Sequence, residues 1–154
     1  MIRDFRTGDF EGLVTCYRTG FPNGHSRYGL SRIVRYHMDT TFVAEESGTI
    51  VGMVIGVVSP REAWLTSLTV LPEPGLSRRR YSMKLLQGLG ERLRIFGFGH
   101  VMATTERRSV ISLASLLQAE LLAVEENFYF DGKRRWIYRA DMGTLQRLDL
   151  RLRG

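Results

Sequence analysis

The chain has 154 residues, 44% of them apolar and 25% charged, an ordinary balance for one globular domain with a real core. Lysines and arginines outnumber acids 22 to 16, so the net charge is +6, which favours anionic partners such as phosphates, nucleic acid or acidic surfaces. The single cysteine, Cys16, excludes an internal disulfide and a cysteine-built metal site, and the longest apolar run, residues 50–58, falls short of the about 20 needed to span a bilayer.

Arg3 and Asp4 stand at the opening with no apolar run behind them, which does not read as a secretory leader; a cytoplasmic protein is expected. Residues 1–6 form a short first strand. Thr7 is the expected N-cap of a first helix, with Asp9 and Glu11 suited to its positive end. Phe10, Leu13, Val14, Tyr17 and Phe21 recur at helical spacing until Pro22, Asn23 and Gly24 break the pattern. A second helix is expected over residues 26–38, with Leu30, Ile33 and Val34 inward. Residues 41–45 and 49–60 form a hairpin turning at Glu46, Ser47 and Gly48. A strand over 64–71 follows, then a cationic turn and a helix over 82–96 whose stripe is Leu86, Leu89, Leu93 and Phe96, closed by Gly97. Residues 100–105 are a strand and 109–121 a helix. A last hairpin pairs 124–130 with 133–140 about Asp131 and Gly132. One helix linking two parallel strands within a strand-rich middle gives the mixed α/β class.

The stretch from Glu62 to Thr105 holds most of the chemistry. Arg78, Arg79 and Arg80 precede the expected helix at Ser82, and a helix start beside cations is a ready anion site. A solvated basic turn is the plain alternative. His37 and His100 have no metal partners in the sequence, and no metal is expected. Cys16 fits the first helix as a small buried residue.

This element order, carried by 2–10, Phe42-Val43-Ala44-Glu45, Ile50-Val51-Gly52-Met53-Val54, Leu68-Thr69-Val70-Leu71-Pro72, Leu85-Leu86-Gln87-Gly88-Leu89 and Phe98-Gly99-His100-Val101, resembles the GNAT family of acyl-CoA-dependent N-acetyltransferases over roughly residues 1–142. The resemblance implies a single-domain mixed sheet of about six to seven strands flanked by about four helices, with residues 143–154 a tail or edge strand. It implies an acetyl-CoA thioester as cosubstrate, a primary amine as acceptor, and the backbone of Leu68, Thr69 and Val70 as the edge that aligns the thioester. The family's glycine-rich phosphate motif is not met: Arg80 and Ser82 stand where its glycines belong. Either the amides of Arg80, Tyr81, Ser82 and Met83 hold the phosphates with help from the guanidinium groups of Arg78, Arg79 and Arg80, or the segment binds no CoA and the protein is a binding or regulatory module, with nucleic acid as one partner class.

The family's usual tyrosine acid would fall at Leu117, its Gly-Phe pair at Leu121 and Leu122, and its asparagine near Val110, so the acid must be sought elsewhere. Tyr129 and Tyr138 on the last hairpin are the candidates, and Glu62 is the candidate base, in phase with Trp64 and Thr66. Each has a plain reading as packing or surface charge. His25 lies in the loop between the first two helices, where this family frames its acceptor. Ser109, Ser112 and Ser115 read as close helix packing. Leu148, Leu150 and Leu152 alternate with charges, which predicts an added edge strand, a homodimer contact or a frayed tail.

Overall fold

The computed structural model describes residues 1–105 and 118–143. The expected fourth helix with Val110 and Leu117, the serine stripe, and the alternating leucines at 148–152 therefore lie outside the described residues.

Among the described residues seven strands form one sheet: β1 (Ile2–Asp4), β2 (Thr41–Glu46), β3 (Thr49–Val58), β4 (Ala63–Val70), β5 (His100–Thr105), β6 (Glu120–Glu126) and β7 (Arg134–Asp141). Their order is β1-β2-β3-β4-β5-β7-β6. Every neighbouring pair is antiparallel except β4 and β5. Helix α1 (Phe10–Gly20) and helix α2 (Arg27–Tyr36) lie N-terminal to the sheet's main run, and α3 (Arg78–Ile95) links the two parallel strands. This is the α/β architecture the sequence implies.

Strand alternation divides the core into two layers. Phe42, Ala44, Val54 and Val70 face α3 and pack on Leu85, Leu86, Leu89 and Leu93. Val43, Met53 and Ile55 face the other way, toward Leu13, Val14, Tyr17, Leu30 and Val34 of α1 and α2. On that side α1 ends hard against β4: a Cβ on Gly20 would lie 2.4 Å from Thr69 Oγ1, so only glycine admits this approach.

Several expected boundaries move. Thr7 is not a cap; it sits inside a 3-10 turn (Thr7–Asp9), and Asp9 accepts the Arg6 N–H at 2.7 Å while bound to Arg3 at 2.7 Å. The Arg3 guanidinium holds the Asp9 carboxyl below its ordinary range. Helix α2 stops at Tyr36 rather than residue 38, and the chain passes through a 3-10 turn (Met38–Thr40) into β2. Helix α3 begins four residues earlier than expected, because Ser77 caps it and arginine is a good helix former. It closes as expected at Gly97, where φ is 92° and the N–H groups of Gly97 and Phe98 donate to Arg94 and Leu93. Leu121 and Leu122, expected at a helix end, belong to β6, where Leu121 pairs with Tyr138 of β7. That strand ends at Glu126, so residues 128–130 lie in the hairpin loop instead of extending the strand; Asn127 and Phe130 take positive φ there.

Candidate functional site

The parallel pair at the centre of the sheet is short. Only Trp64 with Met102 and Leu65 with Ala103 are in register; past them the strands part. The cause lies in the next residue. On the β3 side Ile55 pairs with Ser67 and Gly56 with Leu65, so Thr66 is an extra residue in β4, a bulge that bends the strand. Thr66 Oγ1 donates to the Ile55 carbonyl at 3.2 Å and fixes the bend.

The open edge can be read group by group. Leu71 donates its N–H to Val51 O, toward β3. Backbone groups alternate along an extended strand, so Val70 and Leu68 turn their N–H and C=O away from β3, into the opening, while those of Thr69 turn toward β3. Of the expected edge residues, Leu68 and Val70 present backbone to the cleft. Thr69 is buried, and its Oγ1 has no hydrogen-bond partner.

Beyond the edge, Gly75 takes φ 78° in the loop that leads to α3. Ser77 Oγ accepts the Arg80 N–H at 3.3 Å, and the Tyr81 N–H donates to Ser77 O. The amides of Arg80 and Tyr81 are thus engaged, and those of Ser82 and Met83 lie within the helix. The donors a helix start leaves open belong instead to Arg78 and Arg79, earlier than the sequence implies. Three arginines occupy a first turn that has no acid, at the end where the helix dipole disfavours cations. Arg78 Nε donates to Val70 O at 3.2 Å, across the end of the strand edge. Arg79 and Arg80 are exposed and make no ion pair among the described residues. Met83 points into the core and Tyr81 OH bonds the Glu46 carboxylate.

An aromatic shelf stands on the α1 side of the sheet. Trp64 lies 6.1 Å from Phe128, and Phe128 meets Tyr129 edge-on at 4.8 Å. Tyr129 OH is 3.0 Å from Thr104 Oγ1. Thr104 follows Ala103, the last residue of β5 paired with β4, so this hydroxyl sits where the two parallel strands separate. The Arg135 guanidinium lies 5.3 Å over the Tyr129 ring and pairs with Asp131 at 2.6 Å; the Lys133 N–H, then Arg135, hold the Asp131 carboxyl below its ordinary range.

The structure separates the three residues considered for proton transfer. Tyr138 pairs in register with Ala103, one residue out of phase with Thr104, so its ring is on the opposite, α3 face, and it is buried. Glu62 lies before β4, at the closed end of the strand pair. Its carboxylate accepts the Trp64 indole N–H at 2.9 Å. Four residues of strand, about 13 Å, separate it from Thr66. Tyr129 alone of the three reaches the opening. The backbone N–H of His25 donates to Tyr17 Oη at 2.9 Å, and its imidazole stacks on that ring. Burial pushes the Cys16 thiol up to about 11, which makes it an inert core residue. The bulge at Thr66 and the Arg78 contact had no sequence signal, since both depend on neighbours far along the chain.

No family model matches the chain, and neither does any curated protein. Solved structures do. Ard1 from Thermoplasma volcanium superposes with a TM-score of 0.79 at 18% identity, covering 92% of this chain and 96% of that one. The ribosomal-protein-S18-alanine N-acetyltransferase from Escherichia coli gives 0.73 at 18%, covering 92% and 93%. Arabidopsis thaliana Naa50, in complex with the bisubstrate analogue CoA-Ac-MVNAL, gives 0.75 at 12%, covering 92% and 97%. The chain has the fold of the GNAT N-acetyltransferases.

Proposed function

We propose that the protein transfers an acetyl group from acetyl-CoA to a primary amine. The observation that carries this reading is the splayed β4 edge, opened by the Thr66 bulge and running directly to the arginine-rich start of α3. Strand-edge amide groups suit the amides of a pantetheine arm, and open helix N–H groups with arginines suit its phosphates. Leu68 and Val70 would hold the arm, and Arg78, Arg79 and Arg80 the phosphates.

Transfer is then direct. The amine nitrogen attacks the thioester carbonyl, the carbon–sulfur bond breaks, and the amine loses its extra proton to water. Tyr129, at the point where the strands part, donates a proton to the departing thiolate and regains one from solvent. A thiol of ordinary acidity, pKa near ~8.5, is a fair leaving group, so positioning supplies most of the rate. A peptide amine is the first acceptor to assay: one neighbour is named a ribosomal-protein-alanine N-acetyltransferase and another holds a CoA–peptide analogue.

A second reading, a binding module without catalysis, is favoured by one contact: Arg78 Nε already occupies the Val70 carbonyl. Isothermal titration with acetyl-CoA separates the two. The enzyme reading expects a dissociation constant near micromolar; no heat at millimolar ligand ends it. Once an acceptor is in hand, Tyr129→Phe is expected to slow single-turnover transfer by more than about tenfold, toward the range typical of general-acid loss, with acetyl-CoA affinity unchanged. Tyr138→Phe is the contrast and should leave the rate near that of the parent.

A further inference from the structure

None of the residues assigned above to the pantetheine arm, its phosphates or the departing thiolate lies on the outward side of α2. Its inward residues, Leu30 and Val34, are buried. Tyr28, Arg32 and Tyr36 follow one another at four-residue steps along the outside, about 6 Å apart and about 12 Å from first to last. Tyr28 is 71% and Tyr36 74% exposed. Folding gains nothing from two large aromatic rings left in water. The Arg32 guanidinium lies 6.0 Å from the Tyr28 ring. The three residues line an open groove of about 430 Å³, bordered by His25 and His37 at its ends.

Charge on this face has one sign. Helix α2 contains no acid, and no acid lines the groove. Arg32 and Arg35 make no ion pair among the described residues, whereas Arg27, on the flank, is bound to Glu11. Burial keeps His37 below its ordinary pKa and hence neutral at pH 7. The face is therefore a ring, a cation and a second ring, on a chain of net charge +6.

We propose that this strip binds single-stranded nucleic acid. A strand drawn out to roughly twice its stacked rise of about 3.4 Å matches the four-residue step of the helix. Two bases with one nucleotide between them stack on Tyr28 and Tyr36, and Arg32 takes a phosphate of the segment that joins them. An acidic peptide would satisfy the arginines but leave both ring faces in water. A second copy of the chain would bring its own cations to the same place.

The test uses the full chain and a fluorescently labelled oligouridylate of about six nucleotides, followed by anisotropy across a salt series. Saturable binding is expected, weakening as salt rises. Tyr28→Ala with Tyr36→Ala should weaken it at least tenfold, while Tyr28→Phe with Tyr36→Phe should retain it, because the ring face and not the hydroxyl does the binding. Arg32→Gln should lower the slope of log affinity against log salt by about one. All these side chains are exposed, and a thermal melt confirms that each variant folds. No saturable binding, an alanine pair that binds as the parent does, or an oligoglutamate peptide that competes at equal concentration would each overturn the proposal, the last in favour of an acidic protein partner.

Discussion

In α2 a serine cap, Ser26, accepts the Gly29 N–H and is followed by Arg27; in α3 a serine cap, Ser77, accepts the Arg80 N–H and is followed by Arg78. Neither first turn carries an acid. From there the helices diverge. The leading arginine of α2 turns to Glu11 on α1, and the helix sinks only Leu30 and Val34 into the fold. In α3 the leading arginine reaches the strand edge, the next two face solvent, and Met83, Leu85, Leu86, Leu89 and Leu93 are buried behind them. The same local signal serves a lightly anchored surface helix in one place and a core helix with an anion-facing end in the other. The residues beyond the cap decide its use.

Four experiments press on that contrast. The largest effect belongs to the core of α3. Leu89→Ala should cost about 4 kcal/mol in urea unfolding, against about 2–3 kcal/mol for Leu30→Ala in α2; equal costs would mean that α2 is as deeply anchored as α3. Next comes the charged end. Replacing Arg78, Arg79 and Arg80 together by alanine should weaken acetyl-CoA binding at least tenfold, about 1.4 kcal/mol, and flatten its salt dependence. An unchanged dissociation constant in calorimetry would reduce the three to surface charge. The caps themselves rank third: Ser77→Ala and Ser26→Ala should each lower stability by about 1 kcal/mol, and only the former should also disturb acetyl-CoA binding. The smallest effect is expected at Arg27→Gln. Its ion pair with Glu11 is exposed, and pairs of that kind contribute little, so the urea midpoint should not move measurably.

Local chemistry makes much of the fold legible. Glycine at position 48, with Ser47 before it, turns the β2–β3 hairpin with φ of 81° and 50°, and Asp131 and Gly132 lie inside the last hairpin loop as expected. Periodic leucines locate α3, but its first turn stays hidden because three arginines read as a loop when charge is weighed above helix propensity. Leu121 and Leu122 mislead in the opposite sense: an apolar pair says nothing of period, and pairing with Tyr138 makes it strand. The resemblance places the cleft along Leu68 to Val70, yet nothing local can show that Leu68 and Val70 face it while Thr69 does not, for that depends on one extra residue at position 66. Strand phase and topology point to Glu62 and Tyr138; their side chains go instead to an indole and to the α3 face. The tyrosine–arginine strip of α2 is invisible when basic residues are sought as contiguous clusters, since a helix brings them together only at every fourth position.

The two-residue seam between β4 and β5 also bears on how the molecule comes apart. Strands β1 to β4 share extensive antiparallel pairing, as do β5, β7 and β6, but among the described residues the two groups are joined in the sheet only through Trp64, Leu65, Met102 and Ala103. With so few backbone pairs across it, that join is where native-state hydrogen exchange should find the weakest protection within the sheet. Val101, Ala140 and Met142 from one group share a buried cluster with Val54, Val70 and the α3 leucines Leu85, Leu89 and Leu93, so packing on α3, as well as the short ladder, ties the two groups together.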